Sequence, residues 1–206
     1  MDSKDTYTTI KKPTDAILLK EKKSKFYGFA FPVKTEGEVK PIIYRLQKQF
    51  PAANHVCYAW QIGVEDIKYR TNDDGEPYNT AGMPIYGQIQ SFELTNVLVA
   101  VVRFFGGTKL GVGGLISAYK SVAKLTLEAA NKEARVLEVQ LVLKCEYPEM
   151  NTVMRLVSKY QMRLLDQKLE KSCEFLVAVR KDNIKIILDN LKHYHRIEVD
   201  FSQNPT

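Results

Sequence analysis

The chain has 206 residues, of which 45% are hydrophobic and 26% are charged, and its formal net charge is +6. This is enough apolar sequence to bury a core and enough length for two modest domains, and no apolar run approaches the roughly 18 residues that a membrane span needs. The first residues also lack the layout of a secretory signal, so we expect a cytoplasmic protein that makes no membrane contact. The three cysteines have no framework spacing, which predicts reduced thiols.

The first predicted elements are a strand over residues 25–33 and a helix that follows it. The apolar residues of this helix recur at helical spacing. They are Val39, Ile42, Ile43, Leu46 and Phe50. The start of the helix stays open, because a capping box formed by Thr35 and Glu38 would place Pro41 in the second turn, where its missing N–H is costly.

Four lysines lie close together around the start of the first predicted strand. They are Lys20, Lys22, Lys23 and Lys25. A basic cluster of this kind is a candidate contact for nucleic acid, and the alternative is that these side chains only solvate a strand edge.

Residues 55–62 alternate in hydrophobicity, which predicts a strand. One face would carry Val56, Tyr58, Trp60 and Ile62, and the other His55, Cys57, Ala59 and Gln61. His55 is a candidate catalytic residue as an acid–base group, or a hydrogen-bonding partner, and a structural histidine at the strand entry is the alternative. A further strand is expected near residues 67–70.

The acidic loop, which we define as residues 73–81, is rich in turn-forming residues and holds three carboxylates, Asp73, Asp74 and Glu76. These three are candidate catalytic residues and candidate ligands of Mg²⁺, although their spacing does not match a calcium-binding loop. They could instead orient a lysine or arginine, or belong to a solvated Asp-Gly turn. A short helix is expected after Pro84.

An apolar strand over residues 96–105 leads into the glycine loop, which we define as residues 106–114. Glycine lets a backbone approach a ligand closely, and the first amides of a following helix attract anions. The candidate residues for binding an anion or nucleic acid here are Arg103, Gly106, Gly107, Lys109, Gly111, Gly113 and Gly114. The alternative is a tight turn. The loop is neither a P-loop, since Val112 and Gly113 replace Lys and Ser/Thr, nor a dinucleotide fingerprint, since Ile116 replaces the last glycine.

A helix over residues 113–132 is predicted to bury one face, and the pattern then changes. The expected buried residues are Leu115, Ala118, Tyr119, Val122, Thr126 and Ala129. The second half predicts a strand (136–147), a helix (149–160), two strands (162–169 and 173–180), a helix (183–193) and a strand (196–201). This βαββαβ order is that of a ferredoxin-like domain.

Several short motifs, taken in order, resemble those of the YigZ/IMPACT family, in its bacterial two-domain branch. The matching segments are residues 24–26 (SKF), 53–59 (ANHVCYA), 73–77 (DDGEP), 80–82 (TAG), 101–107 (VVRFFGG), 110–114 (LGVGG) and 118–119 (AY). Asn72 and Asn79 depart from the usual residues of this pattern. The resemblance covers roughly residues 20–130.

The resemblance implies an α+β protein with two domains. Residues 1–136 would form a domain like the second domain of ribosomal protein S5, shared with domain IV of elongation factor G. Residues 137–206 would form a ferredoxin-like domain similar to the small domains of that factor. Eukaryotic relatives carry an additional domain and regulate translation initiation. The resemblance supplies no established catalytic residue.

Two functions from different classes follow. The favoured one is a non-catalytic binding protein that docks on RNA, a ribosome or a translation-associated protein and takes part in regulating translation, with the glycine loop on phosphates. The alternative is a metal-dependent enzyme acting on a phosphorylated substrate, in which the acidic loop holds Mg²⁺ and His55 transfers protons. No nucleophile–base pair is recognisable, which favours the binding protein.

Overall fold

The computed structural model describes residues 5–202, which divide into two compact units. One comprises residues 7–135, and the other comprises residues 136–202 together with Asp5 and Thr6. The sequence analysis placed a domain boundary after residue 136. That these two parts are separate domains that fold independently stays a prediction. None of the helices within residues 5–202 is long and apolar enough to cross a membrane.

A five-stranded sheet forms the centre of the first unit. Its strands are β2 (Ile17–Glu21), β3 (Ser24–Pro32), β4 (His55–Ile62), β5 (Lys68–Asn72) and β6 (Val97–Phe104), in the order β2-β3-β6-β4-β5 with antiparallel neighbours. Two further strands, β1 (Thr6–Ile10) and β7 (Lys132–Val136), pair with each other in a small sheet. The sequence analysis missed β1, β2 and β7, since the predicted helix ended at residue 132 and the next predicted strand began only at residue 136.

Helices cover both faces of the five-stranded sheet. The helix α1 (Val39–Gln49) packs on one face, and α2 (Gly82–Ser91) and α3 (Gly111–Ala129) pack on the other. The alternating faces predicted for β4 are confirmed: Val56 and Trp60 join the α1 core, whereas Cys57 and Ala59 join the α2 and α3 core. Strand β6 is buried on both faces, as its continuous apolar sequence predicts.

Three details of the first unit differ from the sequence-based expectations or resolve them. The capping box of Thr35 and Glu38 forms around a single 3₁₀ turn, so α1 begins at Val39 and Pro41 falls in its first turn. Helix α2 begins two residues before Pro84. Helix α3 begins two residues and ends three residues earlier than predicted, and Ala129, which was expected to be buried, is exposed, whereas Leu127 is buried.

The second unit has the βαββαβ order and a four-stranded antiparallel sheet. Its elements are β8 (Glu138–Cys145), α4 (Met150–Lys159), β9 (Arg163–Leu169), β10 (Cys173–Arg180), α5 (Ile184–Leu191) and β11 (Ile197–Phe201). The sheet order β11-β8-β10-β9 places the first and third strands in the middle, as in ferredoxin-like folds. The predicted α+β class with two parts is therefore confirmed.

Candidate functional site

The three motif regions of the sequence meet at one end of the five-stranded sheet. Register brings the start of β3, the end of β6 and the start of β4 together, since Lys25 lies opposite Phe104 and His55 lies opposite Arg103. The acidic loop leaves β5 at the same end and returns along β4 into α2. Residues that are far apart in the sequence therefore share one site.

Asp73 organises the acidic loop and caps α2. One carboxylate oxygen accepts hydrogen bonds from the N–H groups of Ala81 (2.9 Å) and Gly82 (2.8 Å), and the other accepts one from Asn79 (2.9 Å). A carboxylate at this position satisfies amides that a helix leaves without internal partners and complements the helix dipole. Asp73 is therefore bound to backbone donors, and its role in this structure is architectural.

Asp74 and His55 tie the acidic loop to the start of β4. The Asp74 carboxylate accepts a 2.6 Å hydrogen bond from the N–H of Val56, and its carbonyl lies 2.7 Å from His55 Nδ1. The His55 ring therefore donates from Nδ1 when neutral, which leaves Nε2 as the acceptor. Gly75 has a φ of +86°, and a side chain there would come within 3.6 Å of the His55 ring. His55 thus acts as a hydrogen-bonding partner of the loop.

A buried ion pair lies beneath the acidic loop. Glu76 Oε1 is 2.5 Å from Arg103 Nη1 and accepts a 2.8 Å hydrogen bond from the hydroxyl of Tyr119 on α3. His55 Nε2 lies 3.9 Å from the same oxygen. Glu76 and Arg103 are only 8% and 5% exposed, so the two charges neutralise each other away from water.

The burial of Arg103 corrects one expectation. The sequence analysis counted this arginine as surface charge beside the glycine loop, but it points inward and is paired with Glu76. Its guanidinium carbon lies 5.4 Å from the Phe26 ring centre and 5.6 Å from that of Phe105, distances typical of cation–π contacts. Its Nε is buried and has no hydrogen-bond partner among the described residues.

A buried thiol and phenol complete this network in their protonated forms. Cys57 donates towards the carbonyl of Asp73 (3.0 Å), and its sulfur lies 3.3 Å from the hydroxyl of Tyr119. Burial raises the pKa of both groups well above their ordinary values, and the neighbouring Glu76 carboxylate raises them further. Neutral Cys57 and Tyr119 therefore serve as hydrogen-bond donors.

The acidic loop does not have the geometry of a metal centre. The carboxylates of Asp73, Asp74 and Glu76 are all occupied by N–H, O–H or guanidinium donors. Within residues 5–202 no group of three or more His, Cys, Asp or Glu side chains is arranged to hold a metal ion. The Mg²⁺ hypothesis gains no support from these contacts, because a hard cation needs several free oxygen ligands.

The glycine loop is fixed at its start and open at its end. A side chain on Gly106 would lie 2.1 Å from the backbone of Lys23, so only glycine fits there. The N–H of Gly106 donates to Ser24 Oγ (3.1 Å), and that of Phe105 donates to Asn54 Oδ1 (2.7 Å). Gly107 and Gly111 have φ values of +83° and +75°, which turn geometry explains.

Gly113 differs from the glycines around it. Its φ is not in the left-handed region, and no described atom lies within 4 Å of the position that a side chain would take. By contrast, a side chain on Gly114 would come within 3.0 Å of Leu110. The structure therefore gives no packing or conformational reason for glycine at position 113.

The two helices that begin at this site have different amino-terminal ends. The first amides of α2 are capped by Asp73. In the described part of the chain no side chain caps α3, and its first turn, where Gly111, Val112 and Gly113 are exposed, contains no acidic residue. The uncapped amides of α3 are therefore available to an anion from outside.

Three of the lysines predicted as ligand contacts belong to the glycine loop or to the turn that packs on its first residue. Lys22 and Lys23 form the two-residue turn between β2 and β3, with φ values of 44° and 68°, and the backbone of Lys23 packs on Gly106 of the glycine loop. Lys109 lies in the glycine loop itself and is exposed. Lys25 is exposed at the start of β3, opposite Phe104.

The sequence analysis missed several residues that build the site. Ser24 and Asn54 fix the glycine loop, and Tyr119 joins α3 to Glu76. All three were noticed as parts of motifs, but nothing in a sequence says that they hydrogen-bond to segments 43 to 82 residues away. Ser24 and Asn54 are polar residues at or just before the start of an apolar strand, which is a weak signal, whereas Tyr119 lies in the middle of α3 and was predicted only as a buried residue.

Comparison with known proteins identifies the family. The Impact N-terminal domain matches residues 22–127, about half of the chain. An IMPACT family member from Haemophilus influenzae is 28% identical over 183 residues, which are 87% of this chain and 89% of that protein. The IMPACT family member YigZ from Escherichia coli is 28% identical over 160 residues, 77% of this chain and 78% of that one. The chain belongs to the IMPACT family, as its motifs predicted.

One solved structure is similar over nearly the whole chain. The crystal structure of a hypothetical protein has a TM-score of 0.69 to this chain, with 22% sequence identity, and the match covers 97% of this chain and 99% of that one. This likeness supports the fold and carries no information about activity.

Proposed function

We propose that the chain is a non-catalytic, cytoplasmic binding protein that docks on RNA or the ribosome and takes part in regulating translation. The surface that binds would be the glycine loop with the turn of Lys22 and Lys23, at one end of the five-stranded sheet. The single observation that carries this proposal is the uncapped and exposed first turn of α3, which begins two residues after the exposed Lys109.

The charge of the chain supports an acidic partner. Residues 1–136 contain 19 basic and 14 acidic residues, a net charge of +5, whereas residues 137–206 contain 11 and 10, a net charge of +1. The excess of positive charge thus lies in the part of the chain that carries the glycine loop. Phosphate contacts from lysines and helix amides give affinity with little sequence preference.

The acidic loop fits this proposal as a scaffold. Its carboxylates neutralise Arg103, cap α2 and hold β4, so each has a partner within the protein. The link to translation rests on membership of the IMPACT family. The resemblance to this family implies a role in translation, because its eukaryotic members regulate translation initiation. A translation-associated protein is the other class of partner that this resemblance implies.

The proposal is tested by binding of the purified protein to structured RNA and to ribosomes at several salt concentrations. We expect saturable binding. The logarithm of the binding constant should fall linearly with the logarithm of the salt concentration, because each phosphate contact releases counterions. The variant Lys109→Glu should weaken binding and reduce the salt slope by about one phosphate contact.

The matched control is Lys40→Glu, which makes the same charge change on α1, at an exposed position that the proposal leaves out of the binding surface. It should reduce binding less than Lys109→Glu does. Absence of binding at low salt, or equal losses for the two variants, would contradict the proposed surface.

A further inference from the structure

We propose that this surface takes RNA in single-stranded form, with bases stacked on the exposed rings of Phe105 and Tyr78 and phosphates on Lys22, Lys23 and Lys109. This inference rests on the proposed function and names the form of RNA that it would bind. It follows from two exposed aromatic side chains that lie on backbone segments held by hydrogen bonds.

Phe105 is the first of these side chains. It is 45% exposed at the end of β6, its N–H is held by Asn54, and the guanidinium of Arg103 lies 5.6 Å from its ring centre. The next residue, Gly106, packs directly on the backbone of Lys23. An aromatic face therefore lies beside the lysine turn, as it does where proteins bind both the bases and the backbone of single strands.

Tyr78 is the second, and it is 88% exposed. The loop that carries it is fixed on both sides, since Glu76 is buried in its ion pair and the N–H of Asn79 donates to Asp73. The N–H of Thr80 donates to the carbonyl of Pro77 and closes the turn between them. Binding to a ring on a loop that is already ordered loses little conformational entropy.

The lysine turn carries a conformational cost that its packing does not explain. Residues with positive φ in two-residue hairpin loops are usually Asn or Gly, because a Cβ is sterically unfavourable there. Lys22 and Lys23 both adopt such φ values. Strain that is retained at a surface turn is typical of functional positions, and here the strained turn packs on Gly106, the residue that follows Phe105.

The combination favours a single strand over a duplex or an acidic peptide. In a duplex the base faces are stacked on each other and cannot reach Phe105 or Tyr78, whereas unpaired bases can. An acidic peptide would use the lysines but would leave both rings without a specific partner. Stacking also tolerates every base, so we expect little sequence preference.

The test compares three RNA ligands of equal length, about 12 nucleotides, which falls within the range of known single-strand sites. They are an unstructured single strand, the duplex of that strand and an abasic strand with the same phosphates. The single strand should bind at least about fivefold more tightly than the abasic strand, since one stacked base contributes about 1 kcal/mol or more.

The variants Phe105→Leu and Tyr78→Ser should each remove about fivefold or more of the affinity for the single strand and leave that for the abasic strand unchanged. Tyr44→Ser is the matched control, because Tyr44 is 58% exposed on α1, which covers the opposite face of the sheet from α2 and α3. Melting temperatures of all three variants would establish that they are folded.

The outcomes separate this inference from the proposed function. Equal affinity for the three ligands, with no effect of Phe105→Leu or Tyr78→Ser, would overturn the single-strand inference and leave a phosphate-binding surface in place. Binding to none of the three ligands would overturn this inference as well, and binding to ribosomes would then decide whether the proposed function stands.

Discussion

The acidic loop and the glycine loop lie at the same end of one sheet, but they use their polar groups in opposite ways. In the acidic loop each carboxylate has a partner: Asp73 caps α2, Asp74 holds β4, and Glu76 neutralises Arg103. In the glycine loop Gly106 is packed on Lys23, whereas the first turn of α3 is exposed and has no side-chain cap among the described residues. The two motifs therefore divide into a support and an open surface.

This difference shows that the reactive side chains of a motif do not by themselves predict which motif binds the ligand. Three carboxylates and a histidine predict metal or acid–base chemistry when they are considered alone. Their hydrogen bonds instead go to the protein itself, and the ligand surface that we propose consists of glycine, lysine and aromatic residues. The comparison makes distinct predictions for the two loops.

The largest expected effect concerns the buried ion pair. Replacing Glu76 by Gln leaves the Arg103 charge buried without a counter-charge, which should lower the free energy of unfolding by about 3–5 kcal/mol. Denaturant unfolding measures this loss. The exposed pair of Lys124 and Glu128 is the control, since Glu128→Gln should cost under about 1 kcal/mol. Similar losses for the two variants would mean that the acidic loop is not a support.

A smaller loss is expected at the α2 cap. The variant Asp73→Ala removes an acceptor of three N–H groups and should cost about 2 kcal/mol. The exposed Asp66 serves as the control, and Asp66→Ala should change stability by less than about 0.5 kcal/mol. If Mg²⁺ raised the melting temperature of the natural protein but not of Asp73→Ala, the architectural role would be wrong.

Alkaline pH should lower the free energy of unfolding through the buried thiol of Cys57. Because burial raises the pKa of Cys57 above its ordinary value of 9.0, the unfolded chain loses this proton first, and stability falls as pH rises above 9. The stabilisation is complete below that pH, and the loss is up to about 1.4 kcal/mol per pH unit. Unfolding of Cys57→Ala should show a shallower decline between pH 9 and 10. Identical profiles would indicate that Cys57 ionises normally in the fold.

The lysine turn should show a conflict between stability and binding. The double variant Lys22→Asn, Lys23→Gly introduces residues that favour positive φ, so it should raise the free energy of unfolding by about 1 kcal/mol. The same change removes two cations and should weaken RNA binding and its salt dependence. Greater stability with unchanged binding would show that these lysines only solvate the turn.

Local periodicity made much of the fold predictable. The apolar stripe of α1, the two faces of β4, the buried strand β6 and the βαββαβ order all follow from spacings of 2 or 3.6 residues. Strands β1, β2 and β7 were missed, and the strand predicted from residue 136 includes only the last residue of β7. Such boundaries depend on pairing partners that the local sequence does not contain.

The site itself was predictable only in its parts. The motifs named most of its residues, but their meeting depends on the antiparallel register that sets His55 opposite Arg103. The inward direction of Arg103 likewise depends on Glu76, which lies 27 residues earlier in the chain. A long-range ion pair leaves no periodic signal. The sequence therefore showed that Arg103 precedes the glycine loop, but it did not show that the Arg103 side chain is buried.

The open end of α3 is tested most directly by one pair of glycine substitutions. Gly113 in α3 and Gly87 in α2 are both helical, and no described atom lies within 4 Å of the side-chain position of either one. Alanine should therefore stabilise both helices by about 0.5–1 kcal/mol.

The decisive measurement is the affinity of Gly113→Ala for RNA relative to that of Gly87→Ala. If the first turn of α3 approaches phosphates closely, Gly113→Ala should weaken binding by about fivefold, equivalent to about 1 kcal/mol, and Gly87→Ala should bind as the natural protein does. Equal binding by both variants and the natural protein would contradict the account, because the glycine loop would then be a turn and not a ligand surface.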